Sequence, residues 1–280
     1  MNGDKIFLIS LIQSIIVFLC LVFSIYLCYL TVTKIGSSRR SIVALSFAVL
    51  AFLVCKFVDT SFALRLSSGH KDITPCLKSI SYGLSHLFLM ITCYLATGTW
   101  LKFSILLECI ARGSEGLYKE KITFLIIGLG SMLSLVIALN IICFYEDCTN
   151  PNPTIDLDRF EYTVHLVAYV ITTAIFFHTA SYLNKSVDKH FPAFKNSAGK
   201  QLNRAINWLR TFLLLRVLKD IFIVIFFKQY RAEQERSMNS DTWFYPVIIV
   251  LPFALDVVLS CGIFYSVHFY LNESTKGFYI

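Results

Sequence analysis

Long apolar runs separated by short polar links dominate the chain. Seven runs stand out, at about 6–30, 41–64, 79–103, 122–145, 161–183, 206–228 and 243–271. Each approaches or exceeds the roughly 20 residues that a helix needs to cross a hydrocarbon core about 30 Å thick. None alternates with the period of two over about 10 residues that a membrane-spanning strand shows. The pattern predicts an all-α, polytopic bundle of seven transmembrane helices. It forms one membrane domain over 1–280 with no separate soluble domain. The first run, "IFLISLIQSIIVFLCLVFSIYLCYL", is too long for a signal-peptide core of about 7–15 residues and lacks a small-residue cleavage site, so it is expected as a mature helix.

Composition agrees with that pattern. The chain is 56% hydrophobic and only 15% charged, against roughly 25% charged in soluble proteins. The Lys and Arg residues give the expected orientation. The links after runs 1, 3 and 5, with the C-terminal tail, carry thirteen, and the opposite side carries eight. Positive charge favours the cytoplasmic side. The N-terminus is therefore expected outside or in a lumen, and the C-terminus in the cytoplasm. The formal charge of +7 is then a property of cytoplasmic loops beside anionic lipid, not a sign of nucleic-acid binding. The main basic face comprises Arg112, Lys119 and Lys121 in one link and Lys185, Lys189, Lys195, Lys200 and Arg204 in the next.

The chemistry sits inside the runs. "LLLRVLKDIF" at 213–222 places Arg216, Lys219 and Asp220 in an apolar setting, where translocon scales put the cost of one charge near 2.5–3.5 kcal/mol. Lys56, Asp59 and Asp256 complete a set of three cations and three acids. Lys56 and Asp59 are i, i+3, and Arg216 and Asp220 are i, i+4. Both spacings bring partners to one helix face. Lys219 and Asp256 are left over, so a bridge between runs 6 and 7 is expected, either as structural glue or as a lock. "CKFVDTSF" at 55–62 echoes "LRVLKDIF" at 215–222. This weak repeat would suit a parallel three-plus-one-plus-three layout of the kind some transporters use.

Of nine cysteines, Cys76 and Cys148 fall on the expected non-cytoplasmic side, where an oxidising lumen would allow a disulfide. Cys20, Cys28, Cys55, Cys93, Cys143 and Cys261 read as small apolar fillers, and Cys109 as a residue of a cytoplasmic loop. His86 and His165 fall toward the outer ends of their runs, where a hydrogen bond between helices is the ordinary role of a histidine. Trp100, Tyr162, Trp243, Phe244 and Tyr245 read as interfacial anchors. The sequons at Asn184 and Asn272 lie on the cytoplasmic side and are expected unmodified. No metal-site spacing, phosphate loop, nucleophile elbow or His-Glu-x-x-His motif occurs. No catalytic residue, metal or cofactor is expected.

The layout, with Cys76 and Cys148 at the top of run 3 and after run 4, is similar to G-protein-coupled receptors. The Asp-Arg-Tyr, Cys-Trp-x-Pro and Asn-Pro-x-x-Tyr motifs of the rhodopsin-like class are missing. "HLFLMITCYLATGTWLKF" with Trp100, "TFLLLRVLKDIF" with Arg216, and "WFYPVIIVLPFALDVVLSCGIFY" with Pro252, Ala254 and Leu255 more closely resemble the tobamovirus-multiplication (TOM/THH-domain) seven-transmembrane family and related orphan receptor-like proteins. Lys102 departs from that family's tendency to an acid, and Asp256 departs as well. The resemblance implies a non-enzymatic protein of vacuole- or lysosome-like endomembranes that binds cytoplasmic partners such as small GTPases. With a receptor-like plan, a G protein at the plasma membrane is the matching expectation. The expected function is thus a receptor-like protein or membrane scaffold that recruits partners through basic loops, its ligand unknown. The alternative is a small-solute or proton-coupled transporter.

Overall fold

The computed structural model describes residues 2–35, 40–68, 75–112, 115–149, 155–190, 200–225 and 253–263. Among these residues the chain is helical, with no strand. The helices are α1 (Asn2–Ile35), α2 (Arg40–Ser67), α3 (Pro75–Arg112), α4 (Glu115–Thr149), α5 (Ile155–His190), α6 (Lys200–Ile225) and α7 (Phe253–Ile263).

The helices outrun the apolar stretches. No Pro or Gly interrupts the chain between run 3 and Gly113, so α3 continues to Arg112. Cys109, expected in a loop, accordingly lies in α3 as a free, buried thiol, 5% exposed. At the other end α4 continues to Thr149 and α5 resumes at Ile155, so most of the polar, Pro-containing link at 146–160 is helix. Its two prolines, Pro151 and Pro153, lie outside the described residues, as does the 191–199 link with Lys195. Past that link, α6 begins at Lys200, immediately after Gly199.

Among the described residues five helices contain stretches long and apolar enough to cross a membrane: Phe7–Thr33, Ile42–Leu66, Ile80–Lys102, Glu120–Glu146 and Tyr162–Tyr182. Length and composition make them compatible with an integral membrane protein. Large apolar side chains cover the outside, among them Leu19, Phe124 and Ile126, each more than 60% exposed. Water would penalise such a surface, and hydrocarbon would not.

The helix α3 is the centre of the packing. It lies against α2, α4 and α5, and α5 in turn lies against α6. One core joins Ile42, Met90, Trp100, Tyr169, Phe176, Leu213 and Leu259, drawing on α2, α3, α5, α6 and α7. A second joins Val17 of α1, Phe52 of α2, Leu89 of α3 and Phe253 of α7. Trp100, expected at an interface, is instead 3% exposed, with its ring edge-on to Phe176 at 6.4 Å. Its span end is covered because α3 continues three turns further. Trp243, Phe244, Tyr245, Pro246 and Pro252 lie outside the described residues.

Polar residues within the apolar helices bond their own backbone. Thr31, Ser46, Thr92 and Thr172 each donate to the carbonyl four residues earlier, at 2.7–2.9 Å. A hydroxyl satisfied in this way needs neither water nor a second helix.

Candidate functional site: a buried ionic node

Among the described residues Arg216 is the largest fully buried side chain, 1% exposed. The i, i+4 spacing brings Asp220 beneath it, and Nε donates to Asp220 Oδ2 at 3.2 Å. The other two guanidinium nitrogens leave the helix. Nη1 pairs with Asp256 Oδ1 of α7. Nη2 lies 3.1 Å from His86 Nδ1 of α3. The guanidinium carbon sits 4.9 Å from the centre of the Tyr169 ring of α5, a cation–π contact. One side chain therefore ties α6 to α3 and α7 while resting on α5. The planar fork of five donors is what allows three separate acceptors to be served at once.

Lys219 joins the same node one turn along. Its Nζ is 3.4 Å from Asp220 Oδ1 and 3.5 Å from Asp256 Oδ1. The contact between Lys219 and Asp256 is thus present, but it is not exclusive, because Asp256 also serves Arg216. Sequence spacing cannot show such sharing, since it depends on how α7 is set against α6. Asp220 and Asp256 are 2% and 3% exposed. A carboxylate so enclosed needs cationic or hydrogen-bonding partners on most sides, and both have them.

The pair on α2 is separate. Lys56 Nζ lies 3.3 Å from Asp59 Oδ2. It also lies over two ring faces, Tyr82 of α3 at 5.8 Å and Phe253 of α7 at 5.9 Å.

A line of rings and amides leads away from the node. His86 lies 4.5 Å from the Tyr82 ring and 6.0 Å from the His165 ring. Tyr82 and Tyr162 hydroxyls meet at 2.7 Å. His165 Nε2 lies 3.2 Å from Asn140 Nδ2 of α4. These histidines were legible as candidates for bonds between helices; their meeting with Arg216 and with each other was not, because each sits alone in its own run.

Arg210 was missed in the balance of three cations and three acids. It lies in run 6 and is partly buried. It donates to Ser181 Oγ at 2.8 Å and to Phe177 O at 3.4 Å, and lies over the Phe177 ring. A charge census of the whole run, rather than of its centre, would have found it.

Cys76 and Cys148 form a disulfide joining the start of α3 to the end of α4. The expected basic face gathers at the other ends of the helices. Arg112 closes α3, Lys119 and Lys121 lie in the first turns of α4, Lys185 and Lys189 in the last turns of α5, and Lys200 and Arg204 in the first turns of α6. Lys185 and Arg204 are exposed. Of the two sequons, Asn184 donates to Asn203 Oδ1 at 3.3 Å, and Asn272 lies outside the described residues. Among the described residues no group of three or more His, Cys, Asp or Glu side chains is placed to hold a metal ion.

No model of a known family matches the chain, and no curated protein sequence matches it.

Proposed function

We propose that the chain is a seven-helix, receptor-like membrane protein that catalyses no reaction and recruits a cytoplasmic protein through its basic helix ends. The N-terminus faces outside or a lumen in this reading, and the C-terminus faces the cytoplasm. To the five apolar spans it adds α6 and α7. The helix α6 has 26 residues and, at 1.5 Å per residue, is about 39 Å long. Its central charges find their partners inside the bundle, which is the condition for charge in a membrane.

The observation that carries the reading is the Arg216 node. It bonds α6 to α3 and α7 through contacts that close one arrangement of the helices and would be lost in another. A bistable contact between helices is what couples one side of a bundle to the other. The disulfide at one end and the basic residues at the other supply the two sides. The resemblance to the TOM/THH family through Trp100, Arg216 and Pro252 belongs to the same proposal. So do an endomembrane or plasma-membrane location and a small GTPase or G protein as partner.

The test replaces Lys185, Lys189, Lys195, Lys200 and Arg204 together with Gln. Proximity labelling from a C-terminal fusion reads the partner, and glycosylation tags at both termini read the topology. Loss of most labelling of one cytoplasmic protein, with topology kept, is the expected result. Unchanged labelling removes the recruitment reading. The buried charge set with its histidines also favours a second reading, a proton-coupled transporter. Purified protein in liposomes would then accumulate solute under a proton gradient, which the receptor-like reading does not expect.

A further inference from the structure

Arg210 meets no acid among the described residues. Both of its hydrogen bonds there come from Nη2, to Ser181 Oγ at 2.8 Å and to Phe177 O at 3.4 Å. Its guanidinium carbon rests 5.3 Å from the centre of the Phe177 ring. Nε is enclosed and has no acceptor. Where Arg216 is held by two carboxylates, Arg210 is held by neutral groups. Its charge calls for an anion that the helices around it do not supply.

The partner of Arg210 sets its depth. Ser181 is the last residue but one of the apolar stretch Tyr162–Tyr182 of α5. In a bilayer the guanidinium then lies where hydrocarbon gives way to headgroups. Trp208, two residues earlier on α6, is 63% exposed and stacks on Phe212 with ring centres 5.6 Å apart. An outward indole is the ordinary residue of that boundary. On the hydrocarbon side of it Leu214, Leu218 and Phe222 face outward, each about half exposed.

On the other side the seam between α5 and α6 stays basic. Asn184 donates to Asn203 Oδ1 at 3.3 Å. The next residue on each helix is an exposed cation, Lys185 and Arg204. Neither has an ion-pair partner among the described residues. Arg204 precedes Arg210 by six residues, about 9 Å along the helix axis.

We propose that this seam binds one phospholipid with a polyanionic headgroup. Its diester phosphate pairs with Arg210, whose planar donors suit phosphate oxygens. The Ser181 hydroxyl accepts from Arg210 and keeps its own proton to donate to the same phosphate. A further phosphate, about one headgroup length outward, pairs with Lys185 and Arg204. The acyl chains lie along Leu214, Leu218 and Phe222. A headgroup with one charge would satisfy Arg210 and leave the outer two cations unpaired. A soluble polyphosphate would satisfy the cations and leave the indole and the apolar face unused. Basic pockets between helix ends are a known form of such lipid sites. Lys185 and Arg204 also belong to the basic face of the proposed function, but Arg210 does not, so Arg210 separates a lipid from a protein partner.

The experiment titrates the purified full chain, in neutral detergent, with phosphatidylcholine, phosphatidylglycerol and phosphatidylinositol bisphosphate, and counts bound lipid by native mass spectrometry. The expected result is one bisphosphate lipid per chain, held about tenfold more tightly than phosphatidylglycerol. Arg210→Gln should weaken it by about tenfold or more. Lys102→Gln removes an exposed cation at the end of the apolar stretch of α3 and should change binding less than twofold. Equal binding of the bisphosphate lipid and phosphatidylglycerol overturns the proposal. So does a loss in Lys102→Gln as large as in Arg210→Gln, which would mean attraction to net charge alone. Soluble inositol trisphosphate that competes as strongly as the lipid also overturns it. Should Arg210→Gln fail to fold, the pair Lys185→Gln with Arg204→Gln decides. Both side chains are exposed, and their loss should abolish the preference for the bisphosphate lipid. An unchanged preference in that pair overturns the site. Failure of any of these arms leaves the recruitment reading standing, because that reading is scored by partner labelling in cells.

Discussion

The pairs on α2 and α6 begin alike and end differently. Each has a cation followed within one turn by an aspartate, and the distances are nearly equal, 3.3 Å for Lys56–Asp59 and 3.2 Å for Arg216–Asp220. The α2 pair stays within its helix and leaves the Asp59 side chain 17% exposed, whereas the Asp220 side chain is 3% exposed. Beyond its aspartate, Lys56 meets the faces of Tyr82 and Phe253. Arg216 instead meets a carboxylate on α7 and an imidazole on α3. Helical spacing made both pairs. The fork of the guanidinium made only one of them a junction between helices, since an ammonium is a compact point charge with no fixed directions to offer.

The largest expected effect follows from cutting the junction at its centre. Arg216→Gln leaves Asp220 and Asp256 with Lys219 alone and takes the donor from His86. Removing one partner of a buried ionic group costs about 3–5 kcal/mol. That should appear as a fall in melting temperature of about 10 °C in detergent. Arg216→Lys restores the charge but not the fork and should recover less than half. A variant that melts within a degree or two of wild type would mean that α3, α6 and α7 are held by their apolar contacts alone.

A smaller effect is expected one turn away. Asp256 serves both Arg216 and Lys219, so Asp256→Asn should cost more than Lys219→Met. Their double-mutant cycle should show a coupling of about 1 kcal/mol. Equal single-mutant costs with complete recovery in the double mutant would restore an exclusive bridge between Lys219 and Asp256, and would demote Arg216 to an intrahelical pair like that of α2.

What the sequence made legible follows the same division. Apolar run length located the helices, because a stretch such as 6–30 can satisfy its backbone only by coiling. The i, i+3 and i, i+4 spacings located both pairs before any packing was known. The meeting of His86 with Arg216, 130 residues apart, was hidden, because it depends on the rotation of α3 about its axis. Tyr169 was hidden for the same reason. Trp100 shows the opposite error. Its place near the end of an apolar run suggested an interface, but the helix continues and the ring faces Phe176. Run ends mark where hydrophobicity stops, not where the helix stops.

The smallest effect belongs to α2, and it tests whether the two regions are independent. If Lys56 and Asp59 neutralise only each other, each single substitution leaves one poorly paired charge and should cost about 1–2 kcal/mol. Lys56→Met with Asp59→Leu removes both charges and keeps the bulk. Replacing a whole pair by apolar groups is often neutral, so the double variant should melt within a few degrees of wild type. The contacts of Lys56 with the Tyr82 and Phe253 rings are worth roughly 0.5–1 kcal/mol each at partly exposed sites, and Met retains much of that packing. Tyr82 is also the neighbour of His86, so this ring touches both regions. Should the double variant cost as much as Arg216→Gln, the effect must travel through Tyr82, and the two pairs would belong to one network. Should it melt like wild type, the α2 pair only neutralises itself, and the Arg216 node holds its helices together independently of it.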